Sequence, residues 1–166
     1  MTAQFSEALK YEGQEVSMCT QPLGDYFEFG GERPDFEINC TALWRGYIGT
    51  WEIIDNRLYL VGIDGKLKDG SEVTLKSIFP GFPDRVFAHW YTGELRIPDG
   101  KILEYVHMGY GSIYERDLLL TIEKGVLIDT NVRQNGISDD LNAPDGYGIG
   151  AMSTFSTSKD REEVDK

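Results

Sequence analysis

A mainly β fold assembled from antiparallel hairpins is what this 166-residue sequence predicts, on three observations. Pairs such as Asp55-Asn56, Asp99-Gly100 and Lys124-Gly125 separate apolar runs of strand length, and such pairs suit the positive φ angles of tight hairpin turns. Nineteen glycines and nine tyrosines enrich the chain in turn and strand formers. No stretch carries the apolar period of a long amphipathic helix. Many short strands joined in this way form a half-closed barrel or a two-layer sandwich. One or two short helices near the N-terminus or in the tail would make the fold α+β.

From the N-terminus, Phe5, Ala8 and Leu9 fit one face of a short helical turn. Residues 16–20 read as a first strand, stopped by Gln21-Pro22, and residues 26–29 as a second, closed by Gly30-Gly31. Residues 42–63 carry the first strong signal. With Asp55-Asn56 as the loop, Ile53 pairs with Leu58, Trp51 with Leu60 and Gly49 with Gly62 on an apolar face. Glu52 then meets Tyr59, and Thr50 meets Val61, on the other face. Residues 73–79 alternate as a strand before Pro80-Gly81-Phe82-Pro83 breaks the chain.

Residues 86–97 and 102–108 form a second hairpin about Asp99-Gly100, and residues 118–128 a third about Lys124-Gly125. The first two hairpins match at an offset of 44 residues, with Tyr47, Gly49, Ile53 and Asp55 against Tyr91, Gly93, Ile97 and Asp99. Shared turn chemistry explains that match better than a duplication. From residue 131 onward, breakers follow one another. The chain therefore divides into one β-rich domain, 1–130, and an irregular, partly disordered acidic tail, 131–166.

The net charge is −12, which argues against general nucleic-acid binding because phosphate neutralisation needs clustered Lys and Arg. The tail holds seven acids against four bases, so −9 of that charge belongs to residues 1–130. Solubility is the commoner explanation, and attraction of a basic partner the sharper one. Cys19 and Cys40 lack metal-type spacing and are expected as buried free thiols. With no basic-then-apolar leader at the N-terminus and no apolar run of membrane-spanning length, a cytoplasmic protein without membrane association is expected.

Familiar catalytic signatures are missing: no phosphate loop, dinucleotide fingerprint, zinc motif or nucleophile elbow is present, and no cofactor is called for. In the register of a turn at Asp99-Gly100, Glu94 lies opposite Tyr105 and Thr92 opposite His107. Glu94 and His107 are then near-diagonal neighbours on one face, the weak catalytic candidates of this chain. His89 falls on the other face, which disfavours a metal held by both histidines, so no metal site is assigned. A histidine hydrogen-bonded beside the core is the more frequent explanation of His107.

Trp44, Trp51 and Trp90 lie near the hairpins, with Arg45, Tyr47 and Tyr91 beside them. Trp51 belongs to the core by the parity of its strand, whereas Trp44 and Arg45 are adjacent, so one points in and one out. The binding candidates are Trp44, Arg45, Trp90, Tyr91, Glu94, Tyr105, His107 and Tyr110.

The words TALWRGYIGTWEI, ELRIPDGKILEYVHMGYGSIYERDL and LTIEKGVLI resemble those of a group of small uncharacterised bacterial proteins, over residues 41–130. The resemblance implies a bacterial, cytosolic origin and, since the group has no established activity, nothing about catalysis. Small size, acidity and an aromatic β surface together lead to the expectation of an inhibitor or immunity-type protein for a basic protein partner. The alternatives are a small-molecule-binding barrel or sandwich lined by the aromatics, and a hydrolase-like enzyme using Glu94 and His107.

Overall fold

The computed structural model describes residues 4–38 and 40–137. Eight strands form one sheet: β1 (Glu7–Tyr11), β2 (Gln14–Met18), β3 (Tyr47–Ile54), β4 (Arg57–Gly65), β5 (Val86–Phe87), β6 (Gly93–Glu104), β7 (Ile113–Glu123) and β8 (Val126–Gln134). Helices α1 (Pro22–Glu28) and α2 (Leu75–Ile78) sit in the connections, with a 3₁₀ turn at Thr41–Leu43. The order across the sheet is β2-β1-β3-β4-β8-β7-β6, with β5 as a side branch on β4. The mainly β expectation holds, and the sheet does not close into a barrel by strand pairing. Its two ends nevertheless meet, because the Cys19 N–H donates to the Arg96 carbonyl and the Arg96 N–H to Thr20 Oγ1.

Asp55 and Asn56 adopt φ 52° and 64°, and Lys124 and Gly125 50° and 84°, the two positive values of a type I′ turn. The first hairpin keeps the expected pairs Ile53 with Leu58, Trp51 with Leu60 and Glu52 with Tyr59. A bulge between Thr50 and Trp51 then shifts the register, so Gly49 faces Ile63 and Thr50 faces Gly62. The third hairpin joins β7 to β8 with Ile122 opposite Leu127.

Asp99-Gly100 is not a hairpin turn. β6 runs straight through it, and the expected register of Glu94 against Tyr105 is replaced by Glu94 against Thr121, with Arg96 against Leu119. Gly100 has φ +85° and sits at a register shift between Asp99 and Ile102. A bulge demands the same left-handed residue as a turn, so the dipeptide alone does not tell them apart. Asp99 accepts from Arg116 Nε at 3.2 Å, and Glu115 Oε1 from the Lys101 N–H at 3.0 Å, which fixes β7 across the bulge. The real reversal is the loop 105–112. With the second hairpin gone, the 44-residue match joins two unlike structures.

Three other segments differ from expectation. Phe5, Ala8 and Leu9 do not form a helical turn: β1 pairs antiparallel with β2 and parallel with β3, so its backbone groups are used on both sides. Residues 26–28 belong to α1 and Phe29 is its C-cap; Pro22 supplies the preset φ of the first helical turn. Residues 73–79 hold α2, started by a capping box in which Ser77 Oγ accepts the Thr74 N–H. The sheet also outruns the expected domain boundary, since β8 continues from residue 130 to Gln134. The disorder expected for the tail concerns residues of which 138–166 lie outside the described ones.

One core fills the curl of the sheet. Leu9, Met18, Leu23, Trp51, Leu58, Leu60, Leu95, Ile97, Leu120 and Ile122 are fully buried in it. Each such side chain contributes roughly 1.5–3 kcal/mol by leaving water. Cys19 and Cys40 are both free, Cys19 buried as expected and Cys40 exposed against expectation.

The hairpin glycines give a test. A Cβ on Gly125 would lie 2.7 Å from the Ala88 carbonyl and 2.8 Å from Phe87 Cε1, whereas one on Gly13 meets nothing within 4 Å. Both glycines have φ near +80°. Gly13→Ala is expected to cost about 1 kcal/mol for its backbone alone, and Gly125→Ala about 1 kcal/mol or more beyond that. Urea midpoints measure the difference, and equal losses would contradict the contact between the β7–β8 turn and β5.

Candidate interaction surface

Glu7, Leu9 and Tyr11 alternate along β1 and all point into the core, so a carboxylate stands where the pattern calls for an apolar group. Its oxygens accept four N–H donors: Arg45 Nε at 3.1 Å, Arg45 Nη2 at 2.7 Å, the Gly49 main chain at 2.8 Å and Trp51 Nε1 at 2.8 Å. Burial pushes this carboxyl up from its ordinary value, and Arg45 together with the Gly49 and Trp51 donors works against it. Gly49 is required here, because a Cβ would stand 2.5 Å from Glu7 Oε1 and 2.9 Å from the indole nitrogen. The Arg45 guanidinium lies 5.4 Å from the Tyr47 ring centroid.

Arg45 points inward and its neighbour outward. Trp44 is 63% exposed at the end of the 3₁₀ turn. Gln4 holds this turn against the loop 105–112: its N–H donates to the Gly109 carbonyl, its Oε1 accepts the Trp44 N–H, and its Nε2 donates to the Thr41 carbonyl. Ser112 Oγ bonds both main-chain groups of Val106, which closes the loop upon itself. These two fixed segments and the N-terminal strap expose Phe5, Trp44, Tyr105 and Met108, each half or more open to water. Exposed aromatic and Met side chains of this kind are enriched at protein–protein interfaces.

Tyr110 joins this apron to a hollow. Its hydroxyl donates to the Phe5 carbonyl at 3.1 Å and accepts from Gln21 Nε2 at 2.7 Å, and burial pushes its phenol up to about 12. The hollow, about 450 Å³, lies between α1, the end of β2 and the segment before β6. Tyr91 and Tyr110 wall it, and Asp25 and Glu28 of α1 line it beside Cys19 and Gln21. Burial raises the Asp25 carboxyl, and the Glu28 charge one turn away raises it further. No lining residue is basic, and among the described residues neither carboxylate has a cation in ion-pair reach.

A second buried carboxylate anchors the far wall. Asp117 accepts from Arg96 Nε at 2.9 Å, Arg133 Nη2 at 2.7 Å and Asn135 Nδ2 at 3.0 Å. Arg96 in turn donates to the carbonyls of Tyr110 and Ser112, so the ion pair positions the loop that carries Tyr110. Burial would raise the Asp117 carboxyl, but Arg133, Asn135 and Arg96 outweigh it and hold the group below its ordinary value.

The structure separates the residues read from sequence into three groups. Trp44, Tyr105 and His107 are exposed around the apron, with the Tyr105 hydroxyl hydrogen-bonded to His107 Nδ1. Tyr91 and Tyr110 line the hollow. Arg45 and Trp90 support the fold, Trp90 by stacking on Phe79 and donating from Nε1 to the Pro22 carbonyl at 2.8 Å, which fixes α1. Glu94 and His107 are not neighbours. The strand from Glu94 to Glu104 spans on the order of 30 Å, and His107 lies beyond its end, so the acid–base pair expected from the Asp99-Gly100 register does not form. Sequence reading passed over Glu7, Asp25, Glu28 and Asp117. For Glu7 the signal was present, an acid in phase with Leu9 and Tyr11. For Asp25 and Glu28 it was hidden by assigning a strand where α1 forms.

Among the described residues no three His, Cys, Asp or Glu side chains converge as a metal site, and no helix is long and apolar enough to cross a membrane. Compared with protein-family models, curated proteins and solved structures, the chain matches none.

Asp117 gives a pH test. Its carboxyl is held below the ordinary 3.8 in the folded state, so its contribution is present above that value and lost as pH falls through the lowered one. Asp117→Asn should cost about 2 kcal/mol at pH 7. Urea unfolding should show the gap to the wild type closing toward pH 3, and a gap that stays constant would contradict the assignment.

Proposed function

We propose that this chain is a small acidic interaction protein that binds a basic protein partner, in the manner of an inhibitor or immunity protein. The observation that supports this most is the hollow: two unneutralised carboxylates, Asp25 and Glu28, beside two tyrosine rings, with no basic residue in its lining. A Lys or Arg side chain of a partner fits that chemistry, since a cation relieves the repulsion of the acids and lies favourably over an aromatic face. The exposed Phe5, Trp44, Tyr105 and Met108 next to it supply the apolar contact that a single buried charge pair lacks. The net charge of −12 steers a basic partner toward the surface and makes its association rate fall with salt.

A second reading has one observation in its favour. The hollow's volume, about 450 Å³, lies within the range of small-molecule sites, which suits a small organic cation as ligand in its own right. A hydrolase built on Glu94 and His107 loses its premise with the register that joined them.

The test is affinity capture from the native host with tagged wild type, with the pair Asp25→Asn and Glu28→Gln, and with the pair Trp44→Ala and Tyr105→Ala. The expected result is a basic protein retained at low salt, retained less at high salt, and bound about tenfold more weakly by either variant. Capture of an acidic protein, capture indifferent to both variants, or no capture at either salt level would overturn the proposal.

A further inference from the structure

Strand β8 leaves its neighbour early. It pairs with β4 only at Arg57 and Val126, and the Leu127 N–H donates to the Asn56 carbonyl. From there β5 takes its place beside β4, at Tyr59 and Leu60. Beyond Leu127, β8 pairs among the described residues with β7 alone, and residues 128–134 are exposed on both faces.

The direction of the outer hydrogen-bonding groups follows from the ladder. The Asn135 N–H donates to the Glu115 carbonyl, so Asn135, Arg133, Asn131 and Asp129 turn their main-chain groups toward β7. Thr130, Val132 and Gln134 turn theirs outward, and the Thr130 N–H donates to the Asp129 carboxylate of its own chain at 2.9 Å. The core also runs out along this line: Leu118 and Leu120 of β7 are buried, while their cross-strand partners Val132 and Thr130 are exposed. Ile128 is 56% and Val132 43% exposed.

Natural edge strands are usually guarded by Lys, Pro or inward charges. Residues 128–134 have no Lys or Pro, and their one acid and one base cancel in a chain of net charge −12. The base, Arg133, is already committed to Asp117.

We propose that the outer edge of β8 is a dimerisation edge, on which a second copy of this chain lays its own β8 antiparallel about a two-fold axis at Val132. In that register the outward groups of Val132 exchange with Val132 of the other copy, and those of Thr130 with Gln134. Asn131 falls opposite Arg133, and Asp129 opposite Asn135, so no like charges meet along the strand. A second copy suits the edge better than an unrelated strand for this reason: the pairing satisfies the outward groups of Val132 and Gln134 reciprocally, with the Thr130 N–H exchanging its Asp129 acceptor for a main-chain one. The neutral strand is also the place where two chains of −12 approach with least repulsion. Salt should therefore strengthen this dimer, the opposite of its effect on a basic partner.

Sedimentation velocity on the full chain, across a wide concentration range and at low and high salt, tests the proposal together with hydrogen exchange at Val132 and Gln134. The expected result is a monomer–dimer equilibrium that tightens with salt, with slow exchange at both amides only in the dimer. Val132→Pro removes no bond to β7, because its N–H faces outward, and should weaken the dimer about tenfold or more without shifting the urea midpoint. Val132→Lys, which guards the edge without altering the backbone, should act in the same direction. A chain that is monomeric throughout overturns the proposal. Slow exchange in that monomer would mean that the chain covers its own edge, and fast exchange that nothing does. A dimer untouched by both variants places its contact elsewhere and also overturns it.

Discussion

The carboxylate of Glu7 is the constraint on which the rest of this structure depends. Taking a carboxylate and a guanidinium out of water costs several kcal/mol per ion, and only close pairing with further hydrogen bonds offsets that. Glu7 has four donors, while Arg45 Nη1 is buried without a hydrogen bond among the described residues. Here the carboxylate of β1 draws on three groups of one stretch, residues 45–51: the side chain of Arg45, the main chain of Gly49 and the indole of Trp51. Satisfying one charge therefore fixes β1 parallel to β3, sets Trp51 in the core and ties down the turn before β3. Arg45 points inward, and its neighbour Trp44, at the end of the 3₁₀ turn, points outward.

Asp117 plays the corresponding part on the other half of the sheet. Through Arg96 it holds the carbonyls of Tyr110 and Ser112, and through Arg133 and Asn135 it holds the last strand. Tyr110 then reaches from that half to Gln21 and Phe5, across the line where the two ends of the sheet meet. The hollow lies at this junction. It exists because the ends approach through Cys19, Thr20 and Arg96 without forming a regular ladder. Three buried carboxylates, Glu7, Asp99 and Asp117, are paired with arginines, whereas among the described residues Asp25 and Glu28 at the hollow have no such partner, a contrast that supports the proposal of a cationic group there.

Local chemistry made part of this legible in the sequence. Asp55-Asn56 and Lys124-Gly125 specify turns that the flanking strands confirm, and the parity of Trp51 placed it in the core correctly. Asp99-Gly100 misled because a left-handed pair serves a bulge as well as a turn, and only long-range pairing of β6 with β7 decides between them. Moving that turn moved the register, and with it the apparent proximity of Glu94 and His107. Gln21-Pro22 was read as the end of a strand when it is equally the start of a helix, which concealed the placement of Asp25 and Glu28. The parallel pairing of β1 with β3 joins residues some forty positions apart, and no local pattern encodes it. The acid in phase with Leu9 and Tyr11 was its only trace.

A double-mutant cycle on Glu7→Gln and Arg45→Met, followed by urea unfolding at neutral pH, measures that constraint most directly. Each single change leaves a buried group without its partner and is predicted to cost about 3–5 kcal/mol. The double variant removes both charges and is predicted to lose no more than the worse single one, a coupling of about 3 kcal/mol or more. Losses that simply add would show that Glu7 and Arg45 act independently, and would contradict the account of a fold organised around their pairing.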